Sequence, residues 1–161
     1  SLLAGLKTTI AIEKIFGKCV KLKWPNDLIY ESKKIGGILV ETENFEDKFL
    51  VVLGIGINLK VTPNEPHWGD LDENLNDEEK KLTFVRKLAW EVSKLENYSD
   101  ENWQSDWLAN CVHMNSKIKI ASSNEDLFFQ GIDHTGAALL KNTSGKVFAY
   151  QESSLSVLNL Y

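Results

Sequence analysis

The sequence predicts an α+β fold: a mixed β-sheet with helices packed on one face, followed by a small β-barrel. Three observations predict it. An apolar stripe at helical spacing opens the chain and stops at Gly17; glycine-punctuated strand patterns run from there to Asn58; and from Lys117 onward short apolar runs alternate with turn residues. A chain of 161 residues buries a core without covalent staples, and 43% hydrophobic with 25% charged residues excludes wholesale disorder. Eighteen Lys+Arg against 23 Asp+Glu leave a formal charge of −5, which argues against a nucleic-acid coat protein. Arg86 is the one arginine, so bidentate phosphate clamps are scarce. Cys19 and Cys111 stand far apart without CxxC spacing, so neither a disulfide framework nor a tightly bound metal is indicated, and the expected compartment is the cytoplasm. No apolar run approaches the roughly 20 residues of a membrane span.

Ser1 is placed to cap a helix running to Gly17, with Leu2, Leu3, Leu6, Ile10, Ala11 and Ile15 on one side. In Lys18–Trp24, Val20, Leu22 and Trp24 alternate with Lys21 and Lys23, a strand with one apolar and one cationic face. Pro25 ends it, and Asn26-Asp27 begin a turn. Leu28–Tyr30 and Ile35–Glu41 read as strands joined by a hairpin at Glu31–Lys34. Phe49–Asn58 is apolar without alternation, the pattern of a central strand covered on both faces. Thr62 to Glu79 holds seven acids and no base, a solvated loop. Phe84, Leu88, Val92 and Leu95 mark a helix, and Trp103, Trp107 and Leu108 a shorter one. Lys117–Ala121, Leu127–Ile132, Ala137–Leu140, Val147–Tyr150 and Leu155–Leu158 are five strands spaced as in an SH3-like barrel. These features divide the chain into residues 1–112 and 113–161.

Three clusters carry candidate chemistry. In Lys23-Trp24-Pro25-Asn26-Asp27-Leu28 a lysine ends a strand and the following turn offers an amide and a carboxylate; taken alone, Asn26-Asp27 reads as an Asx-turn. In Lys33-Lys34-Ile35-Gly36-Gly37 two glycines weaken a strand, each by about 0.5–1 kcal/mol relative to alanine. A bulge and a ligand lying on bare backbone explain them equally well. Gly54-Ile55-Gly56-Ile57-Asn58 lacks the third glycine and the helix of a dinucleotide fingerprint. His67 and His134 are expected in solvent, His113 has no partner at metal spacing, and Trp90, Trp103 and Trp107 are expected in the core.

Together, Lys23–Leu28, Lys34-Ile35-Gly36-Gly37-Ile38-Leu39-Val40-Glu41 and Gly54–Asn58 resemble the biotin protein ligase family. Gly131-Ile132-Asp133-x-x-Gly136-Ala137-Ala138-Leu139-Leu140 is similar to the signature of that family's C-terminal barrel. The resemblance implies the biotin/lipoate ligase fold, akin to class II synthetases, over residues 1–112 and an SH3-like unit over 113–161. It implies a ligase that makes biotinyl-5′-AMP from biotin and ATP with Mg²⁺. The biotinyl group then passes to one lysine of the biotin carboxyl carrier protein of acetyl-CoA carboxylase. Lys23, Asp27 and Lys34 match the catalytic positions, Lys34 at the biotin carboxylate and Lys23 on the nucleotide side. Trp24, Asn26, Lys34, Gly36, Gly37, Gly54, Gly56 and Asn58 match binding positions, and Asp27 is a possible Mg²⁺ ligand.

The family's Gly-Arg-Gly-Arg-Arg-Gly loop is absent. The sequence therefore corresponds to the C-terminal part of the catalytic domain plus the barrel. A polypeptide that began at Ser1 is expected to have poor activity, an uncovered apolar sheet face and a tendency to dimerise. A DNA-binding domain, if the protein has one, would lie upstream. Two alternatives remain open: a non-catalytic module that docks the carrier domain, and a lipoate-type acyltransferase.

Overall fold

A computed structural model describes residues 1–46, 48–61, 66–73, 76–97, 102–152 and 155–158. Helix α1 spans Leu2–Phe16, and Gly17 closes it in the left-handed region (φ 67°), its amide bonded to the Glu13 carbonyl at 2.9 Å. Ser1 does not cap the helix with its side chain: its hydroxyl donates to the Pro25 carbonyl at 3.0 Å. The buried stripe also differs from the expected one. Ile10 is exposed, while Ala4, Thr8, Ala11 and Ile12 face inward. Small residues let α1 approach the sheet closely, and Thr8 and Thr9 satisfy their hydroxyls on the Ala4 and Leu6 carbonyls.

The first sheet contains β1 (Lys21–Lys23), β2 (Asp27–Tyr30), β3 (Lys33–Phe45) and β4 (Lys48–Ile57), in that spatial order and antiparallel throughout. Among the described residues the expected mix of strand directions is present as isolated parallel bridges, Leu22 to Cys111 and Lys34 to Trp68. Leu22, Leu28, Ile35 and Ile38 bury the helix-facing side.

Strand β4 is an edge strand, not the central strand its continuous apolar run predicts. Phe49, Leu50, Val51 and Val52 are each more than half exposed, as are Leu39 and Phe45 of β3. An unbroken apolar run encodes coverage on both faces but does not say which chain segment supplies it. Here the far halves of β3 and β4 project beyond α1, leaving the uncovered face that the sequence suggests.

Part of the acidic segment is packed rather than solvated. Leu71 is fully buried, and residues 66–73 bond to the Lys34 backbone of β3 and to the Asn58 and Leu59 carbonyls just past β4. Helix α2 (Glu78–Ser93) is capped by Asp77, which accepts from the Lys80 amide, and Phe84 meets Phe16 with ring centroids 4.9 Å apart. Trp90 is 63% exposed, contrary to the core position expected of it, because it lies away from the face that packs on α1. Lys94–Asn97 adds a 3₁₀ turn, and α3 (Trp103–Ala109) buries Trp107. No helix among the described residues is long and apolar enough to cross a membrane.

The second sheet has β5 (Lys117–Ile120), β6 (Ser123–Ile132), β7 (Ala138–Asn142), β8 (Val147–Tyr150) and β9 (Leu155–Val157), all antiparallel in the order β8-β7-β6-β5-β9. The five expected strands are present, and among the described residues no pairing joins β8 to β9.

Candidate functional site

Three backbone devices bring the candidate charges together. First, Lys23 pairs directly with Asp27 across the β1–β2 hairpin, so the two side chains share a face. Second, β2 and β3 are joined by Glu31-Ser32, both at positive φ (49° and 62°), which sets a tight two-residue turn. Third, a bulge interrupts the β2–β3 ladder: Leu28 pairs with Gly36 and Ile29 with Lys34, leaving Ile35 extra. Asp27 pairs with Gly37, so simple alternation would send Lys34 to the opposite face. The extra residue reverses that parity and turns Lys34 toward Asp27. Residues 67–69 hold the bulge in place, since the Lys34 amide donates to the His67 carbonyl and the Gly69 amide to the Lys34 carbonyl.

The result is one carboxylate between two ammonium groups. Lys23 Nζ lies 3.1 Å from Asp27 Oδ2 and Lys34 Nζ 2.5 Å from Oδ1. The side chains of Lys23 and Asp27 are only 11% and 9% exposed, that of Lys34 34%. Burying Asp27 would cost several kcal/mol unpaired, and its two partners offset much of that cost. Two cations against one anion leave the cluster net positive. Lys34 is its most exposed member.

Beside the cluster the sheet has a bare floor. Gly37 pairs with Gly56 and Leu39 with Gly54, placing all three glycines on the face that carries Asp27. Gly54 and Gly56 are exposed, so a ligand can lie there against backbone. Gly36 belongs to the other face and to the fold: a Cβ there would run into the Gly56 carbonyl. Asn26 clamps the β1–β2 turn to β3, donating through Nδ2 to the Ile38 carbonyl at 2.8 Å and accepting the Ile38 amide on its own carbonyl at 3.0 Å. Asn58 ties the 66–73 segment to β4 by donating to the Gly69 carbonyl. Trp24 is buried, with its indole N–H on the Gly136 carbonyl at 2.9 Å.

The possible magnesium role of Asp27 finds no ready ligand set. Both carboxylate oxygens already face ammonium groups, and the described residues contain no group of three or more His, Cys, Asp or Glu able to hold a metal.

His113 has no partner at metal spacing along the sequence, yet in the fold it lies against a thiol. It is fully buried beside Phe129 (ring centroids 4.3 Å apart) and Trp107, with Nδ1 3.3 Å from Cys111 Sγ. Burial, with the Lys23 ammonium adding to it, pushes its imidazole down to about 4, and burial pushes the Cys111 thiol up to about 11. The pair is therefore neutral at pH 7, neither a thiolate nor an imidazolium. The unfolded chain holds more protons on this histidine between about pH 6.5 and 4, so stability is lost as pH falls through that window. The full loss is on the order of 3 kcal/mol. Urea unfolding of His113→Asn at pH 7 and pH 4 should show a smaller acid loss than wild type by that order. Equal losses would contradict the assignment. His67 and His134 are exposed, as expected, and Trp103 is half-buried.

Residues 1–58 match the Biotin/lipoate A/B protein ligase family. The bifunctional ligase/repressor BirA of Escherichia coli is 30% identical over 152 residues, covering 88% of this chain and 47% of that protein. The biotin--[acetyl-CoA-carboxylase] ligase of Paracoccus denitrificans is 26% identical over 162 residues, covering 91% of this chain and 68% of that protein. The chain thus spans about half the length of the BirA relatives it matches along most of its own length. In structure it is similar to the apo biotin protein ligase from Aquifex aeolicus (TM-score 0.74, 22% identity, 97% of this chain and 73% of that one). The same enzyme in complex with biotin and ATP aligns with a TM-score of 0.70 at 22% identity, over 96% of this chain and 68% of that one. At such identities the likeness shows a shared fold.

Proposed function

We propose that this chain, whose residues 1–58 match the biotin/lipoate A/B protein ligase family, forms part of an enzyme that activates biotin with ATP. The activated biotin is then transferred to a lysine of the biotin carboxyl carrier domain of acetyl-CoA carboxylase. The observation that carries this reading is the convergence of Lys23 and Lys34 on Asp27 beside a glycine floor. In the first step a biotin carboxylate oxygen bonds to the α-phosphorus of ATP and pyrophosphate leaves. Two anions must meet, and in a site of lowered dielectric their repulsion adds several kcal/mol to the barrier unless fixed cations offset it. Lys34 meets the carboxylate and Lys23 the nucleotide; neither cation has to be recruited, because Asp27 already holds both in place. In the second step a neutral lysine amine attacks the acyl carbon and AMP leaves; the amine's proton goes to a base, the role we read for Asp27.

The names of the relatives support this reading, as does the Aquifex aeolicus complex with biotin and ATP. Magnesium would come with ATP as substrate. We read residues 1–112 as catalytic and 113–161 as the SH3-like unit, in a cytoplasmic protein whose cysteines are both free.

Lys34→Ala in the intact protein should lower biotinyl-AMP formation at least about ten-fold, or 1.4 kcal/mol. Biotin-dependent pyrophosphate exchange measures this, and an unchanged rate would remove Lys34 from its role. A carrier-docking module would instead bind carrier domain in calorimetry yet give no heat with biotin plus ATP.

A further inference from the structure

We propose that the β6–β7 turn, Asp133–Ala137, is a positioning device for the Lys23–Asp27 pair and acts through the Trp24 indole. The inference rests on the ligase reading for its kinetic consequence but not for its geometry. Strand β1 has three residues, and Lys23, paired with Asp27 of β2, is the last of them. Trp24 comes next and leaves the first sheet for the second. Its N–H donates to the Gly136 carbonyl at 2.9 Å, and its ring packs on Tyr150 of β8 with centroids 6.2 Å apart.

The acceptor is itself held rigidly. Asp133 accepts three hydrogen bonds inside the turn, from the Thr135 amide (2.8 Å), the Thr135 hydroxyl (2.6 Å) and the Ala137 amide (3.0 Å). The Asp133 amide donates to the Ala137 carbonyl, and the Gly136 amide to the Asp133 carbonyl. Gly136 sits at φ 87°, a conformation that aims its carbonyl and favours glycine. The turn therefore offers one fixed oxygen at the interface of the two sheets. Trp24 reads its position, and Lys23 inherits it through one peptide unit. On this account the second sheet sets the reach of Lys23 toward Asp27, and Trp24 is a positioning residue, not a ligand contact.

Trp24→Phe keeps the ring and removes the donor; Asp133→Asn loosens the turn without touching Trp24. Trace acetylation followed by mass spectrometry reads Lys23 directly, with the exposed Lys119 and Lys146 as internal references. Either variant should raise the relative reactivity of Lys23 about five-fold, the size of one neutral hydrogen bond. In the intact protein, kcat for pyrophosphate exchange should fall by a similar factor with the KM for biotin unchanged. Unaltered Lys23 reactivity in both folded variants, even with a lowered melting temperature, would overturn the proposal and leave Trp24 a packing residue. A wild-type protein without exchange activity would sink the ligase reading alone, and the acetylation pattern would still decide the positioning claim.

Discussion

Asp27→Asn in the intact protein should depress biotinyl-AMP formation about 100-fold, near 2.7 kcal/mol, more than removal of Lys34 alone. Each carboxylate oxygen holds one ammonium group. An amide of the same shape offers one weaker acceptor, and its NH₂ repels the second lysine, so both cations lose their aim at once. Stability should fall too. Breaking a buried ion pair costs about 3–5 kcal/mol, and the third-exposed Lys34 side of the cluster brings the expectation down to about 2–3 kcal/mol. For a domain of this size that is on the order of a 5–10 °C drop in Tm. Pyrophosphate exchange and thermal unfolding of the same preparation test both halves. A variant that keeps full exchange activity would show that the lysines do not need this carboxylate.

How far the sequence reaches depends on whether a feature is local. Lys23 ends a strand in both sequence and structure, but Asp27, expected in the turn, is the first residue of β2 and pairs with Lys23, a register that the residues alone do not specify. Lys34 stands out in the sequence as a cation beside the two glycines, but its role at the carboxylate comes from the resemblance. Alternation alone puts it on the wrong face, and no composition rule says that Ile35 rather than a glycine becomes the extra residue. The two glycines were read as bulge or ligand surface with equal weight, and they divide: Gly36 serves strand approach, Gly37 the open face. The acidic segment reads as solvated because its net charge outweighs one apolar residue, Leu71, whose amide bonds the Asn58 carbonyl just past the end of β4. The exposure of β4 was not readable from β4 at all. Its apolar residues describe an environment, and whether the chain supplies that environment is a property of the other strands.

Gly36 and Gly37 offer the sharpest separation of fold from function, and Gly36→Ala should cost about 3 kcal/mol or more in folding stability. Its Cβ would enter the Gly56 carbonyl, which is backbone of the neighbouring strand and has no rotamer to give. Relief requires β3 and β4 to part along the whole ladder, and the bulge that orients Lys34 is anchored one residue away. Gly37→Ala is the control with the opposite signature. Its Cβ would stand 3.7 Å from the Asn26 carbonyl, 3.8 Å from Lys34 Cε and 3.9 Å from Asp27 Oδ1, all ordinary contacts. The fold should accept it with Tm changed by no more than about 2 °C, since the change adds no clash and removes backbone freedom from the unfolded chain. The methyl group would nevertheless occupy the floor beside the two cations, so biotin or nucleotide binding should weaken about ten-fold, 1.4 kcal/mol. Denaturation curves and calorimetric titration of the two variants, run side by side, distinguish the roles. If Gly37→Ala binds like wild type, the glycine floor is not where the ligand lies.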